Sequence, residues 1–215
     1  MKIAIIGATG FVGSAILNEL AQRGNQITAI ARNPKDEGKE GITWVKADVT
    51  NTDELVAALK GNDAVISAYN PGWSNPNIYD DSIAGSKAIQ EAVKLSGVKR
   101  FIVIGGGGSL YVAEGVQAVD TPDFPKEIYA GASAARDYLN IIKEEKELDW
   151  AFFSPAFEMH QGTTTGRTGK YRLGLENPVF DENHRSILSV EDLAVVIADE
   201  IDNPKHHQVR FTAGY

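Results

Sequence analysis

Three glycines spaced three residues apart, Gly7, Gly10 and Gly13, are the residues whose type and spacing say most about chemistry in this chain. They follow the short apolar run Lys2–Ile6 (KIAII) and lead into a helical pattern, Ser14-Ala15-Ile16-Leu17-Asn18-Glu19-Leu20. A strand, a glycine turn and a helix in that order open a dinucleotide-binding βαβ unit. Gly7 permits the tight turn off the strand, Gly10 lets backbone N–H groups approach a pyrophosphate, and Gly13 lets helix and strand pack closely. The helix N-terminus then presents free N–H groups and a positive dipole end to the phosphates.

Further candidates stand at the ends of the strands that follow. After the second strand (26–31, QITAIA), an NAD site places an acid to accept from the ribose 2′-hydroxyl. This chain has Ala31-Arg32-Asn33-Pro34. The forked guanidinium of Arg32 suits a 2′-phosphate, which favours NADP over NAD; the alternative is a solvated loop arginine, with Asp36 and Glu37 close by in sequence. Asp48, after the third strand (41–46, GITWVK), is placed to reach the adenine, to cap the following turn, or to do both. The fourth strand (63–67, DAVIS) gives way to a Pro/Gly-punctuated loop, 68–76, expected to pass over the cofactor. Its Tyr69 and Trp73 either wall a flat substrate or pack. The fifth strand (99–104, KRFIVI) opens into Gly105–Gly108, which leaves room for a nicotinamide ring. Ser109, the first hydroxyl beyond it, is the candidate substrate-contacting donor.

The elements that must position these residues alternate as strand and helix, which predicts an α/β fold with a parallel sheet. Helices are expected from about Thr52 to Leu59, Tyr79 to Ser96, Ala130 to Glu145, and from Ser189 to about Asp202, the last capped by Ser189-Val190-Glu191-Asp192. A sixth strand (149–153, DWAFF) ends in Ser154-Pro155-Ala156, and a terminal strand covers 208–212. Residues 112–128 read as an irregular loop able to act as a partial lid, and 171–173 as a short strand. The 215 residues suit a single domain, and the net charge of −8 argues against nucleic-acid binding. Zero cysteines exclude disulfides and thiolate chemistry. No stretch reads as a membrane span, and residues 1–20 read as strand, turn and helix rather than a secretory leader. These features favour the cytoplasm and a small-molecule substrate, with no nucleic-acid or membrane partner and the oligomeric state open.

The G-x-x-G-x-x-G spacing, the strand-end arginine, the SPA segment and the closing SVEDLA…DEID pattern together resemble the atypical short-chain dehydrogenase/reductases with an NAD(P)H-binding domain. That group carries the labels NADH–flavin reductase and nucleoside-diphosphate-sugar epimerase. More distantly the chain is similar to the flavin/biliverdin reductase B type and to NmrA-like redox sensors. The resemblance covers essentially the full length. It implies an NAD(P)-binding Rossmann fold, a doubly wound parallel sheet with helices on both faces, and a small C-terminal substrate-facing lobe from about 157 to 215. It also implies that Gly7, Thr9, Gly10, Phe11 and Val12 line the pyrophosphate and that Arg32 takes the 2′-phosphate. Asp48 with Val49 would hold the adenine, Ala68 and Tyr69 would flank the ribose, and Ser154, Pro155 and Ala156 would border the nicotinamide beside Gly105.

One departure bears on the reaction. Orthodox members carry a Tyr-x-x-x-Lys pair, the lysine lowering the tyrosine pKa for proton transfer. Here the nearest match is Tyr129-Ala130-Gly131-Ala132-Ser133, without the lysine, and Lys143 and Lys146 lie too far along the helix. A phenol without that cation is a poor base at neutral pH. Epimerisation through alcohol oxidation is therefore disfavoured, whereas reduction of a stacked flavin (FMN) or quinone by NADPH needs no such base. Ser109, Tyr129 and His160 are the catalytic candidates; for His160 the alternative is a histidine hydrogen-bonded in a surface turn. His184 lies in an acidic loop, His206 and His207 are expected to be exposed, no metal site is expected, and Lys170 and Arg172 either bind an anionic group or decorate a strand. A non-catalytic dinucleotide sensor of NmrA type is the alternative function.

Overall fold

In the computed structural model, which describes residues 1–34 and 38–215, the burial of the first strand sets the layering. In β1 (Lys2–Ile6), Ile3 and Ile5 enter one apolar cluster while Ala4 and Ile6 enter another. A strand buried on both faces needs helices above and below it. The chain continues through α1 (Phe11–Gln22), β2 (Gln26–Ala31), β3 (Ile42–Lys46), α2 (Thr52–Leu59), β4 (Ala64–Ser67), α3 (Ile78–Ser96) and β5 (Arg100–Ile104). A short hairpin, β6 (Tyr111–Ala113) and β7 (Val116–Gln117), precedes α4 (Lys126–Ile142), β8 (Asp149–Phe153), β9 (Arg172–Gly174), α5 (Val190–Asp202) and β10 (Val209–Gly214). Asp36 and Glu37, weighed above beside Arg32, lie outside the described residues.

The main sheet has the order β3-β2-β1-β4-β5-β8-β10-β9, parallel throughout except for β9, which runs antiparallel to β10. This is the doubly wound Rossmann arrangement, in which the order reverses between β1 and β4 and opens a crevice at the carboxyl ends of the strands. Ile16, Leu17 and Leu20 of α1 and Leu193 and Ile197 of α5 cover one face. Leu55 and Leu59 of α2, Ile89 and Val93 of α3, and Leu139 and Ile142 of α4 cover the other. Ser189 caps α5 as expected, its Oγ accepting from Asp192 N at 3.1 Å. Among the described residues no helix is long and apolar enough to cross a membrane.

Three expectations are corrected. Residues 112–128 are not an irregular loop: they hold most of the hairpin and a turn of 3₁₀ helix, and Gln117, Ala118 and Val119 are buried. The C-terminal lobe is smaller than 157–215, because β9, α5 and β10 all belong to the main layers. His206 is buried rather than exposed, held by Glu200 and stacked on Phe211.

Candidate active site

At the point where the strand order reverses, the first turn is shaped by backbone crowding. Gly7 adopts φ +79°, and a Cβ there would lie 2.5 Å from the Ala68 carbonyl oxygen. A Cβ at Gly13 would collide with the Gly7 carbonyl, so helix and turn touch backbone to backbone. Gly10 occupies the N-cap of α1 without a side-chain cap, and no acid lies in the first turn. The first intrahelical bond runs from Ser14 N to Gly10 O at 2.9 Å, leaving the N–H groups of Phe11, Val12 and Gly13 outside the helical ladder. Thr9, Gly10 and Phe11 are exposed above them. This side-chain-free cradle of donors at a positive dipole end has the chemistry of a pyrophosphate site.

Beside it the ends of β2, β3 and β4 bring Arg32, Asp48 and Tyr69 into one electrostatic neighbourhood. Asp48 Oδ1 accepts from Thr50 N at 2.9 Å and from Thr50 Oγ1 at 2.8 Å, so it caps its turn. Those two bonds, with the Arg32 charge added, hold its carboxyl below the usual range. Burial, aided by Asp81, pushes the Tyr69 phenol up, and Arg32 opposes this. The Tyr69 ring fills the notch at Gly85 of α3 and its hydroxyl donates to Asp81 O at 3.2 Å. Arg32 is exposed and Val49 is buried under the same corner, while Ala68 is half-buried at the turn.

Comparison with known proteins agrees with this geometry. A family model described as NAD(P)H-binding matches residues 7–204. The chain belongs to the NAD(P)H-binding family. This NAD(P)H-binding chain is 34% identical over 215 residues to the uncharacterised protein YwnB of Bacillus subtilis, covering 99% of this chain and 97% of that one. A provisionally designated epimerase from Bacteroides thetaiotaomicron superposes with a TM-score of 0.91 at 47% identity, covering 100% of this chain and 96% of that one. A provisionally designated NADH–flavin reductase from Streptococcus pneumoniae gives a TM-score of 0.85 at 33% identity, covering 100% and 99%. These likenesses place the NAD(P)H-binding chain among the atypical short-chain dehydrogenase/reductases, an oxidoreductase group.

The segments that follow β5 and β8 in this NAD(P)H-binding chain differ from the expectations. Ser109 is 0% exposed, its Oγ donating to Gly106 O at 2.9 Å and sharing a 2.9 Å hydrogen bond with Ser154 Oγ. Its carbonyl takes bonds from Gln117 Nε2 and Arg210 Nη1, both at 2.8 Å. It is a structural bolt rather than a substrate donor. Gly105 does not make room for a nicotinamide: a Cβ there would strike the Phe152 ring, so the glycine admits a protein side chain. Ser154, Pro155 and Ala156 are buried and back the crevice, and the exposed side chain of that segment is Phe157. His160 lies in a surface turn with Nδ1 accepting from Gly162 N at 3.0 Å, the alternative weighed for it. Tyr129 is exposed on α4, and Ser133, at the position of the family's lysine, is buried with no partner for its hydroxyl.

Two residues escaped the sequence reading. Arg210, fully buried in β10, holds Ser109 and Glu176 and lies 5.5 Å from the Tyr111 ring centroid. Its hydropathy predicts a surface position, and nothing in its spacing points to Ser109. Phe157 had a signal, since it directly follows the SPA segment. Among the described residues no cluster of His, Asp and Glu could hold a metal ion.

Proposed function

We propose that this protein is an NADPH-preferring oxidoreductase that reduces a flat acceptor such as a flavin or a quinone. The observation that carries the reading is α4, where the residue four positions after the exposed Tyr129 is a buried Ser133 in place of the lysine. A site built this way lacks the base that alcohol oxidation and sugar epimerisation need. The glycine turn and the open N-terminus of α1 would hold the pyrophosphate, with Thr9, Gly10, Phe11 and Val12 around it. Arg32 would pair with the 2′-phosphate, and Asp48 and Val49 would border the adenine. Ala68 and Tyr69 would border the ribose. The bound dinucleotide would supply a hydride, which with one solvent proton converts a quinone or flavin to its dihydro form. The chain's own work is then to orient the two rings and to exclude competing geometries.

The test is NADPH oxidation by the purified protein, followed spectrophotometrically with FMN, with menadione and without acceptor, NADH serving as the cofactor control. Acceptor-dependent turnover that disappears in Gly10→Glu supports the reductase. Tight NADP⁺ binding by calorimetry without turnover on either acceptor would sink it and leave a dinucleotide sensor as the better reading.

A further inference from the structure

Four aromatic side chains from three segments lie along Gly107, Gly108 and the start of α4, and the dinucleotide site uses none of them. Phe157 lies against Gly107, where a Cβ would sit 3.3 Å from its Cδ1. Phe124 lies against the next residue, 3.4 Å from a Cβ built on Gly108. Tyr129 meets Phe124 edge-on, with ring centroids 6.4 Å apart. Trp73 arrives from the loop after β4 and lies over Gly131 of α4, where a Cβ would come within 2.7 Å of its ring. Trp73 remains 60% exposed, and Phe157 and Tyr129 are exposed as well. A lone exposed ring is unremarkable, but several around the strand ends that form the ligand crevice mark a contact surface. Two of the nearby guanidinium groups are already paired, Arg185 with Glu158 and Arg136 with Asp120 and Asp137.

We infer that Trp73, Phe124, Tyr129 and Phe157 form the acceptor site, and that they select a neutral, planar, fused-ring molecule lying over Gly106 and Gly107. The inference rests on the reductase reading and adds to it the residues that choose the acceptor. Aromatic faces and edges favour offset or edge-on contact with another flat π system. A puckered, saturated ring of the same outline is thicker and lacks the matching quadrupole. The Trp73, Phe124 and Phe157 side chains carry no acid–base group, which suits an acceptor protonated by water.

Trp73 provides the reporter. Lumichrome, a bare tricyclic flavin ring, is titrated into wild type and Trp73→Phe, with and without NADP⁺, and the difference in tryptophan emission is followed. The expected result is saturable quenching that vanishes in Trp73→Phe, with an apparent Kd about tenfold higher in Phe157→Ala, as stacking contacts are worth about a kcal/mol or more each. NADP⁺ affinity by calorimetry stays within about twofold of wild type, as the ring lies outside the phosphate cradle. Phe157→Leu, which keeps the packing volume, serves if the alanine variant fails to fold, and decalone, the saturated bicyclic control, does not displace lumichrome. Absent quenching, quenching indifferent to both Phe157 variants, or displacement by decalone overturns the aromatic site. Lumichrome quenching without any NADP⁺ binding would keep this site and remove the reductase reading; NADP⁺ binding without quenching would do the reverse.

Discussion

The two ends of the parallel sheet treat polar groups in opposite ways. At the amino ends charges are buried and matched. Arg100, the first residue of β5, donates to Glu200 Oε1 at 2.7 Å and to His206 O at 2.8 Å. His206 Nδ1 lies 2.8 Å from Glu200 Oε2, and its ring stacks on Phe211 with centroids 4.2 Å apart. Burial pushes the Glu200 carboxyl up, but the bonds from His206 and from Lys205 N outweigh it and hold the group below its ordinary range. At the carboxyl ends the N–H groups that open α1 have no side-chain cap, Arg32 is exposed, and aromatic rings face solvent. A charge whose partners come from the fold itself stabilises the structure and offers little to a ligand. Groups that serve a ligand must be left unsatisfied, and the fold tolerates this where water can stand in.

The sharpest way to break this contrast is at the amino end. Glu200→Leu leaves the buried Arg100 with only its 3.4 Å carboxylate contact to Asp149 Oδ1, and urea unfolding should show a loss of about 3–5 kcal/mol. NADP⁺ affinity should be unchanged in whatever fraction remains folded. The lowered carboxyl of Glu200 contributes stability that is complete above its ordinary value of 4.5 and is lost as pH falls through the folded value. Glu200→Gln should accordingly show a shallower acid limb than wild type below that pH.

Gly10→Glu probes the other end and should reverse the pattern. An acid at the start of α1 is favourable for the helix, so stability should hold to within about 1 kcal/mol. NADP⁺ binding should weaken by more than about a hundredfold, since a carboxylate then occupies the phosphate cradle; undiminished calorimetric affinity would place the dinucleotide elsewhere. Arg32→Ala should cost about tenfold in NADP⁺ affinity, the scale of a charge-assisted contact, and leave NAD⁺ affinity within about twofold. Equal losses for both cofactors would remove Arg32 from 2′-phosphate recognition. The smallest effect is expected at Ser109→Ala, which deletes three hydrogen bonds of the hydroxyl and should lower stability by about 1–2 kcal/mol with turnover kept within about fivefold. A collapse of turnover at unchanged stability would restore Ser109 as a catalytic group.

Much of the cofactor side was legible before the fold was known. The turn from Gly7 to Gly13 works through neighbouring backbone atoms, and the strand-end position of Arg32 and Asp48 follows from element order alone. The acceptor side was misread because its residues answer to distant partners. Ser109 is closed off by Ser154, 45 residues away, and by Arg210, 101 residues away. Gly105 is small because of the Phe152 ring on the adjacent strand, not because of a ligand.

What the amino-acid sequence determined by itself is therefore everything that depends on local backbone demands and periodicity: the alternation of strands and helices, the glycine turn, the cap of α5 at Ser189 and the missing lysine after Tyr129. Only the tertiary structure decided which hydroxyls and rings reach the crevice. It buried Ser109 against Ser154 and Arg210 and turned Phe157 and Trp73 outward. The physical reason is that a side chain's exposure is set by what packs across from it, and spacing along the chain does not name that partner.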